Sequence, residues 1–163
     1  GRVIATASSP QKRELALELG ADVAIDSQAQ DMTAAIREAN GGERVDVILD
    51  MTGGRITDES VNALAPFGRL GFYGQASREA PKPIAPTNLL VHSTTIAGMW
   101  LPHAFRLPGN VVGQAMSELF ELAIDDQLRV VAGGEYALAD ARLAHEALRS
   151  RGTTGKLVLN PAL

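Results

Sequence analysis

The chain has 163 residues, with 15 basic and 19 acidic side chains, a net charge of −4, 45% hydrophobic residues and no cysteine. This length and apolar content predict one folded domain with a real core, and mixed charge at a pI near 5.3 argues against a nucleic-acid binder. Without Cys the chain offers no disulfide framework, thiolate metal site or thiol nucleophile, and no apolar run reaches the ~18 residues of a membrane span.

No basic stretch followed by an apolar one opens the chain, so no secretion signal is read and a cytoplasmic setting is expected. The sequence starts at Gly1 without Met and runs at once into Arg2-Val3-Ile4-Ala5-Thr6. That start reads as a strand already under way and leads to the expectation of a piece of a longer polypeptide. Val3–Thr6 is an unalternating apolar run of the kind found in strands covered on both faces. Ser9-Pro10 then supplies a helix cap and a first-turn proline. Leu15, Ala16 and Leu19 keep helical spacing up to Gly20. Val23-Ala24-Ile25 predicts the next strand, closed by Asp26-Ser27. Met32, Ala35, Ile36 and Ala39 form one face of a second helix, stopped at Asn40-Gly41-Gly42.

Val45-Asp46-Val47-Ile48-Leu49-Asp50 is the clearest buried strand, and Gly53-Gly54 turns the chain. A helix through Val61 and Leu64 is expected to end near Pro66, followed by a strand over Gly68–Gly74. Gln75 to Pro86 reads as loop, Thr94–Leu101 as a strand, and Pro102 to Gly109 as loop. Val112, Ala115, Met116, Leu119, Phe120 and Ala123 stripe a long helix. Extended pieces are expected at Val130-Val131 and Tyr136-Ala137-Leu138. The last helix is expected over Leu143, Ala144, Ala147 and Leu148, and the last strand over Lys156–Leu159. Strands alternating with helices imply an α/β fold with a parallel sheet covered by helices on both faces.

In such a sheet, ligands sit outside the carboxyl ends of the strands. Those ends carry Ala7-Ser8-Ser9, Asp26-Ser27, Met51-Thr52-Gly53-Gly54 and Tyr73-Gly74-Gln75-Ala76-Ser77. Small residues let backbone approach a ligand closely, although a tight turn needs them equally. The first of these turns, Thr6 to Arg13, holds no carboxylate of the kind that selects NAD by its ribose hydroxyl. It holds hydroxyls, a helix N-terminus, Lys12 and Arg13, a set that suits a phosphate dianion. The same residues equally make a Ser-Pro helix cap followed by solvated cations. Asp50 is a candidate base, with a capping or turn role as the alternative. Tyr73 lacks a Lys four residues on, and His92, His103 and His145 lack ligand spacing. No nucleophile elbow or phosphate-binding Gly-Lys loop is present.

The order of segments resembles the cofactor-binding half of the medium-chain dehydrogenase/reductase superfamily, in its zinc-independent NADPH:quinone oxidoreductase branch, the zeta-crystallin-like reductases. The resemblance rests on Val3–Ser9, Leu19-Gly20-Ala21-Asp22, Gly41-Gly42 before Val45–Asp50, and Gly68-Arg69-Leu70 ending in Tyr73-Gly74. Asp140-Ala141 with Ala144–Leu148 and the closing Thr154–Leu159 complete it. It implies a Rossmann-like, doubly wound, mostly parallel sheet over residues 1–163 that lacks its first strand and glycine-rich turn. Residues 128–163 would form a C-terminal segment packing back toward a missing substrate domain. The strands beside the missing one, Val3–Thr6 and Val45–Asp50, would stand ~9–10 Å apart. Either they pair directly, or another chain fills the gap, or the piece is cut from a larger ordered molecule.

The resemblance further implies NADP(H) as cofactor. Ser8, Ser9 and Lys12, with Arg13 nearby, would hold the adenosine 2′-phosphate. Asp50-Met51-Thr52-Gly53 would pass under the ribose, and Tyr73-Gly74-Gln75 would line the nicotinamide side. Backbone at Gly98-Met99-Trp100 would meet the carboxamide, and Arg151 and Lys156 would approach from the C-terminal segment. Ser27 stands where some relatives place a Tyr. The implied reaction moves a hydride from NADPH to a quinone or related α,β-unsaturated carbonyl, with no catalytic acid or base, and no metal site, in this piece. The partners implied are a small-molecule substrate and a second copy joined through strand 94–101, whose apolar edge lacks the charges that blunt exposed strands. No nucleic-acid or membrane partner is implied. An enoyl reductase or zinc alcohol dehydrogenase built on the same half is one alternative. A non-catalytic nucleotide-binding or interaction module of flavodoxin-like topology is the other.

Overall fold

A computed structural model describes residues 1–163. The chain divides into two compact units, Gly1–Pro108 and Gly109–Leu163. The first holds β1 (Ile4–Ala7), α1 (Pro10–Glu18), β2 (Val23–Asp26), α2 (Met32–Ala39), β3 (Val45–Asp50), α3 (Gly54–Ala63), β4 (Leu64–Phe72), α4 (Pro86–His92), β5 (Thr95–Gly98) and α5 (Leu101–Ala104). The second holds α6 (Val111–Ile124), β6 (Ala132–Ala137), a 3₁₀ turn at Leu138–Asp140, α7 (Ala141–Arg149) and β7 (Lys156–Asn160). The second unit thus takes in α6 as well as residues 128–163.

Helix starts follow the local chemistry. The Ser9 Oγ accepts the Lys12 N–H at 3.3 Å, with Pro10 in the first turn of α1. Asp31 caps α2 by accepting the Ala34 N–H at 2.8 Å. Each cap satisfies a donor that has no partner inside its helix. Ser9→Ala is expected to cost about 1 kcal/mol, read as a lower urea midpoint with an unchanged slope.

Every strand pairing is parallel. β1 pairs β2, β3–β4–β5 form a second sheet in that order, and β6 pairs β7. The first two sheets share one core although no ladder joins them. Met32 and Ile36 of α2 and Ala63 of α3 are buried together, with Ile25 of β2, Val45 of β3 and Ile56 of α3 packed against them. Polar contacts fasten the same helix pair: the Glu59 carboxylate accepts the Met32 N–H, and the Thr33 hydroxyl donates to the Glu59 carbonyl at 2.8 Å. Of the arrangements open to the sequence, direct pairing of the Val3–Thr6 and Val45–Asp50 strands is the one that does not occur. β1 and β3 belong to different sheets, and β3 leaves Leu49 74% exposed.

Several boundaries differ from expectation. Leu64 does not continue a helix; α3 stops at Ala63, and Leu64 opens β4 while 2% exposed. β4 then bulges, because Val45 pairs Leu64 but Val47 pairs Arg69. Phe67 sits in this bulge at a φ of 63°, a left-handed conformation unfavourable for a bulky residue. Its N–H donates to the Ser93 carbonyl at 2.7 Å. Pro86–His92 is a helix, the strand expected over Thr94–Leu101 is confined to Thr95–Gly98, and a short helix interrupts the loop expected at Pro102–Gly109. In the second unit, the extended pieces at Val130-Val131 and Tyr136-Ala137-Leu138 give way to one strand, β6.

Candidate functional site

Ladder register brings the carboxyl ends of three strands into one row. Asp50 pairs Phe72, and Phe72 pairs Gly98. The hydrogen bonding continues past the strands: the Tyr73 N–H reaches the Asp50 carbonyl at 3.0 Å, and the Met99 N–H reaches the Phe72 carbonyl at 2.9 Å. The Ala76 and Ser77 N–H groups donate to the Met51 and Thr52 carbonyls, both at 2.9 Å. The sequence-predicted Thr52, Gly53, Tyr73, Gly74, Gln75 and Met99 therefore lie on adjoining loops at one end of one sheet. Tyr73 is 43% exposed and Met99 52%, so this rim is open to a ligand.

Two glycines make the close approach possible. A Cβ on Gly74 would lie 2.9 Å from the Met51 carbonyl oxygen, and one on Gly53 would lie 2.9 Å from Gln75 Cγ. Gly53 also has a φ of 80°, which L side chains rarely adopt. Below them Asp50 is 3% exposed. Its Oδ1 accepts the Thr52 N–H at 2.7 Å and the Gly53 N–H at 3.4 Å, and its Oδ2 accepts the Thr57 hydroxyl. Of its two candidate roles, the geometry supports the turn-forming one: the carboxylate is spent on holding the 51–53 loop and the start of α3. Thr57 is a residue that sequence reasoning missed. The only signal for it was a hydroxyl one turn along an expected helix.

β1 and β2 carry a second cluster. Ala7 pairs Asp26 in register, and the Ser27 N–H donates to the Ala7 carbonyl at 3.1 Å. The Arg13 guanidinium spans both ends, donating to the Ala7 carbonyl at 3.2 Å and pairing with the Asp26 carboxylate at 3.2 Å. A carboxylate therefore does stand beside the turn in which the sequence showed none, and Arg13 is bound to it. Ser8 is exposed and Ser9 half-buried. The Ser9 Oγ accepts a backbone N–H as the cap of α1, which leaves its hydroxyl proton available for donation outward. Arg151 and Lys156 lie in the other unit, Arg151 after α7 and Lys156 opening β7. For a dinucleotide, then, the chain offers backbone-accessible glycine loops, hydroxyls and a helix N-terminus, which fit its ribose and phosphate groups. For a metal it offers no group of three His, Asp or Glu side chains placed to hold an ion.

The zinc-binding dehydrogenase family matches residues 1–121. A quinone oxidoreductase of Salmonella typhimurium is 32% identical over 167 residues, covering 98% of this chain and 49% of the relative. A 2-haloacrylate reductase of a Burkholderia species is 30% identical over 162 residues, covering 98% of this chain and 48% of the relative. A mycobacterial protein solved in complex with NADPH superposes with a TM-score of 0.82 at 34% identity, covering 98% of this chain and 50% of that one. The chain spans about half the length of these relatives. With the family matched over most of its length and the Rossmann-like half of quinone oxidoreductases matched in structure, the chain belongs to the zinc-binding dehydrogenase family of the medium-chain dehydrogenase/reductase superfamily, and corresponds to the C-terminal half of its quinone oxidoreductases.

Proposed function

We propose that this chain is the NADPH-binding portion of an oxidoreductase that reduces a quinone or a related α,β-unsaturated carbonyl. The observation that carries the reading is the in-register row Asp50–Phe72–Gly98, with its glycine-lined loops, in a fold shared with an NADPH-bound relative. The similarity to a 2-haloacrylate reductase supports the wider class of conjugated acceptors.

Bound NADPH supplies the hydride. The protein's part is orientation and exclusion of water. Ser8, Ser9 and Lys12, at the N-terminus of α1, receive the adenosine 2′-phosphate, and Arg13, anchored on Asp26, fixes the turn that presents them. Thr52 and Gly53 lie under the ribose. Tyr73, Gly74 and Gln75 line the nicotinamide side, where the backbone of Met99 meets the carboxamide. No side chain of this chain serves as acid or base, because a reduced quinone takes its protons from solvent.

Taken alone, the chain is expected to bind dinucleotide weakly and to be inactive. Its phosphate turn and its ribose loops stand on separate sheets, and no ladder sets their spacing. NMR titration with NADPH tests the reading. Amide shifts are expected at Ser8, Ser9, Thr52, Tyr73 and Met99, smaller with NADH at the first two. An interaction module that ignores both nucleotides would leave these amides in place and overturn the proposal.

The same reading includes a homodimer formed through β5. This strand is the outer one of its sheet, and Trp100 beyond it is 66% exposed. A two-fold pairing of such edges satisfies their free N–H and C=O groups. Ile96→Lys would place a charge in the shared sheet and is expected to yield monomers by light scattering. A wild-type monomer at tens of micromolar, or a dimeric variant, would count against the pairing.

A further inference from the structure

We infer that a groove beside α3 and α4 is a second binding site, for a small organic anion made of one carboxylate on an apolar body. The groove encloses about 310 Å³, a volume at the lower end of small-molecule sites (roughly 300–1,000 Å³). Its apolar wall includes Leu64, Ile84 and Leu89, and Arg44, Lys82 and His92 also line it. Arg44 precedes β3, Leu64 opens β4 and Thr94 precedes β5. The groove therefore lies at the amino ends of the strands, the opposite end from the loops at Thr52, Tyr73 and Met99.

Charge decides which ligand fits. Three basic side chains face one acid, Asp58. Backbone groups fix one of these cations, Arg44, and the acid, Asp58. One guanidinium nitrogen of Arg44 donates to the Asn62 carbonyl at 2.7 Å and the Leu64 carbonyl at 3.0 Å, which leaves its other N–H groups unspent. The Lys82 N–H donates to the Asp58 carboxylate at 2.8 Å, fixing that residue at the rim. The Lys82 ammonium and the His92 imidazole have no hydrogen-bond or ion-pair partner. Solvent-exposed cationic donors without protein partners, beside an apolar floor, match a ligand with one anionic head and a hydrocarbon tail. A phosphate dianion would leave the floor uncovered and set a second negative charge against Asp58.

Titration of the whole chain with sodium hexanoate at constant ionic strength, followed by amide NMR, tests the site. Saturable shifts are expected at Leu64, Ile84 and Leu89 with a Kd on the order of millimolar, as befits a ligand of few atoms, while Tyr73 and Met99 stay in place. 1-Hexanol and inorganic phosphate are each expected to give no saturable shift there. Lys82→Glu keeps the backbone donor to Asp58 and is expected to weaken hexanoate by about tenfold. Absence of saturation with hexanoate, equal binding of hexanol or phosphate, or an unchanged affinity in Lys82→Glu would each overturn the assignment. None of these readouts depends on NADPH, so the two sites stand or fall separately.

Discussion

Asp50→Ala is expected to destabilise the first unit by about 3 kcal/mol, since hydrogen bonds to a charged group contribute roughly 1.5–3 kcal/mol and their loss strands buried partners. The carboxylate holds the Thr52 and Gly53 N–H groups and the Thr57 hydroxyl while itself 3% exposed. Alanine would leave all three donors without that acceptor in a space that water enters poorly. Asp50→Asn keeps one carbonyl oxygen for the loop N–H groups, and its amide can donate to the Thr57 oxygen, so it should lose much less. Urea unfolding of the three proteins measures the difference. An alanine variant within about 1 kcal/mol of wild type, the size of one ordinary net hydrogen bond, would mean that the loop finds other acceptors. The result also bears on chemistry. If Asp50 were a general base, Asp50→Asn would abolish turnover in an enzyme containing this chain; as a turn-former, it should largely preserve it.

Lys12→Ala is expected to weaken NADPH binding and leave NADH binding nearly unchanged. A charge-assisted phosphate contact contributes roughly 1.5–3 kcal/mol, so NADPH affinity should fall on the order of tenfold to a hundredfold. NADH, which has no 2′-phosphate, should bind as before. In the NMR titration, saturation of the Ser8 and Ser9 shifts should need correspondingly more NADPH, with the NADH titration unchanged. Equal weakening for both nucleotides would assign Lys12 to support of α1 instead. Arg13→Ala provides a contrast. Its guanidinium bridges the Ala7 carbonyl and Asp26, so its loss should disturb the turn for both nucleotides and uncover a carboxylate next to it.

Element types were largely legible in the sequence because the signals for them are local. The apolar runs at Val3–Thr6 and Val45–Asp50, the Ser9-Pro10 cap and the glycines after α1 and α2 act over a few residues, and these elements formed where expected. Leu64 was not legible, because one apolar residue at helical spacing looks the same whether it closes a helix or opens a buried strand. Pro86–His92 is too short to show a period of its own and lies just after a proline-rich loop.

The candidate loops were likewise named from sequence, since ligands gather at strand carboxyl ends in any such sheet. What the side chains do there was decided by tertiary structure. Asp26 meets Arg13 only because β1 and β2 align Ala7 with Asp26, and Asp50 becomes a turn anchor only because α3 brings Thr57 back to it. The separation of β1 from β3 has the same origin. Each strand's apolar pattern specifies burial but not its neighbour, and the α2–α3 core joins the two sheets by packing, without a hydrogen-bonded ladder.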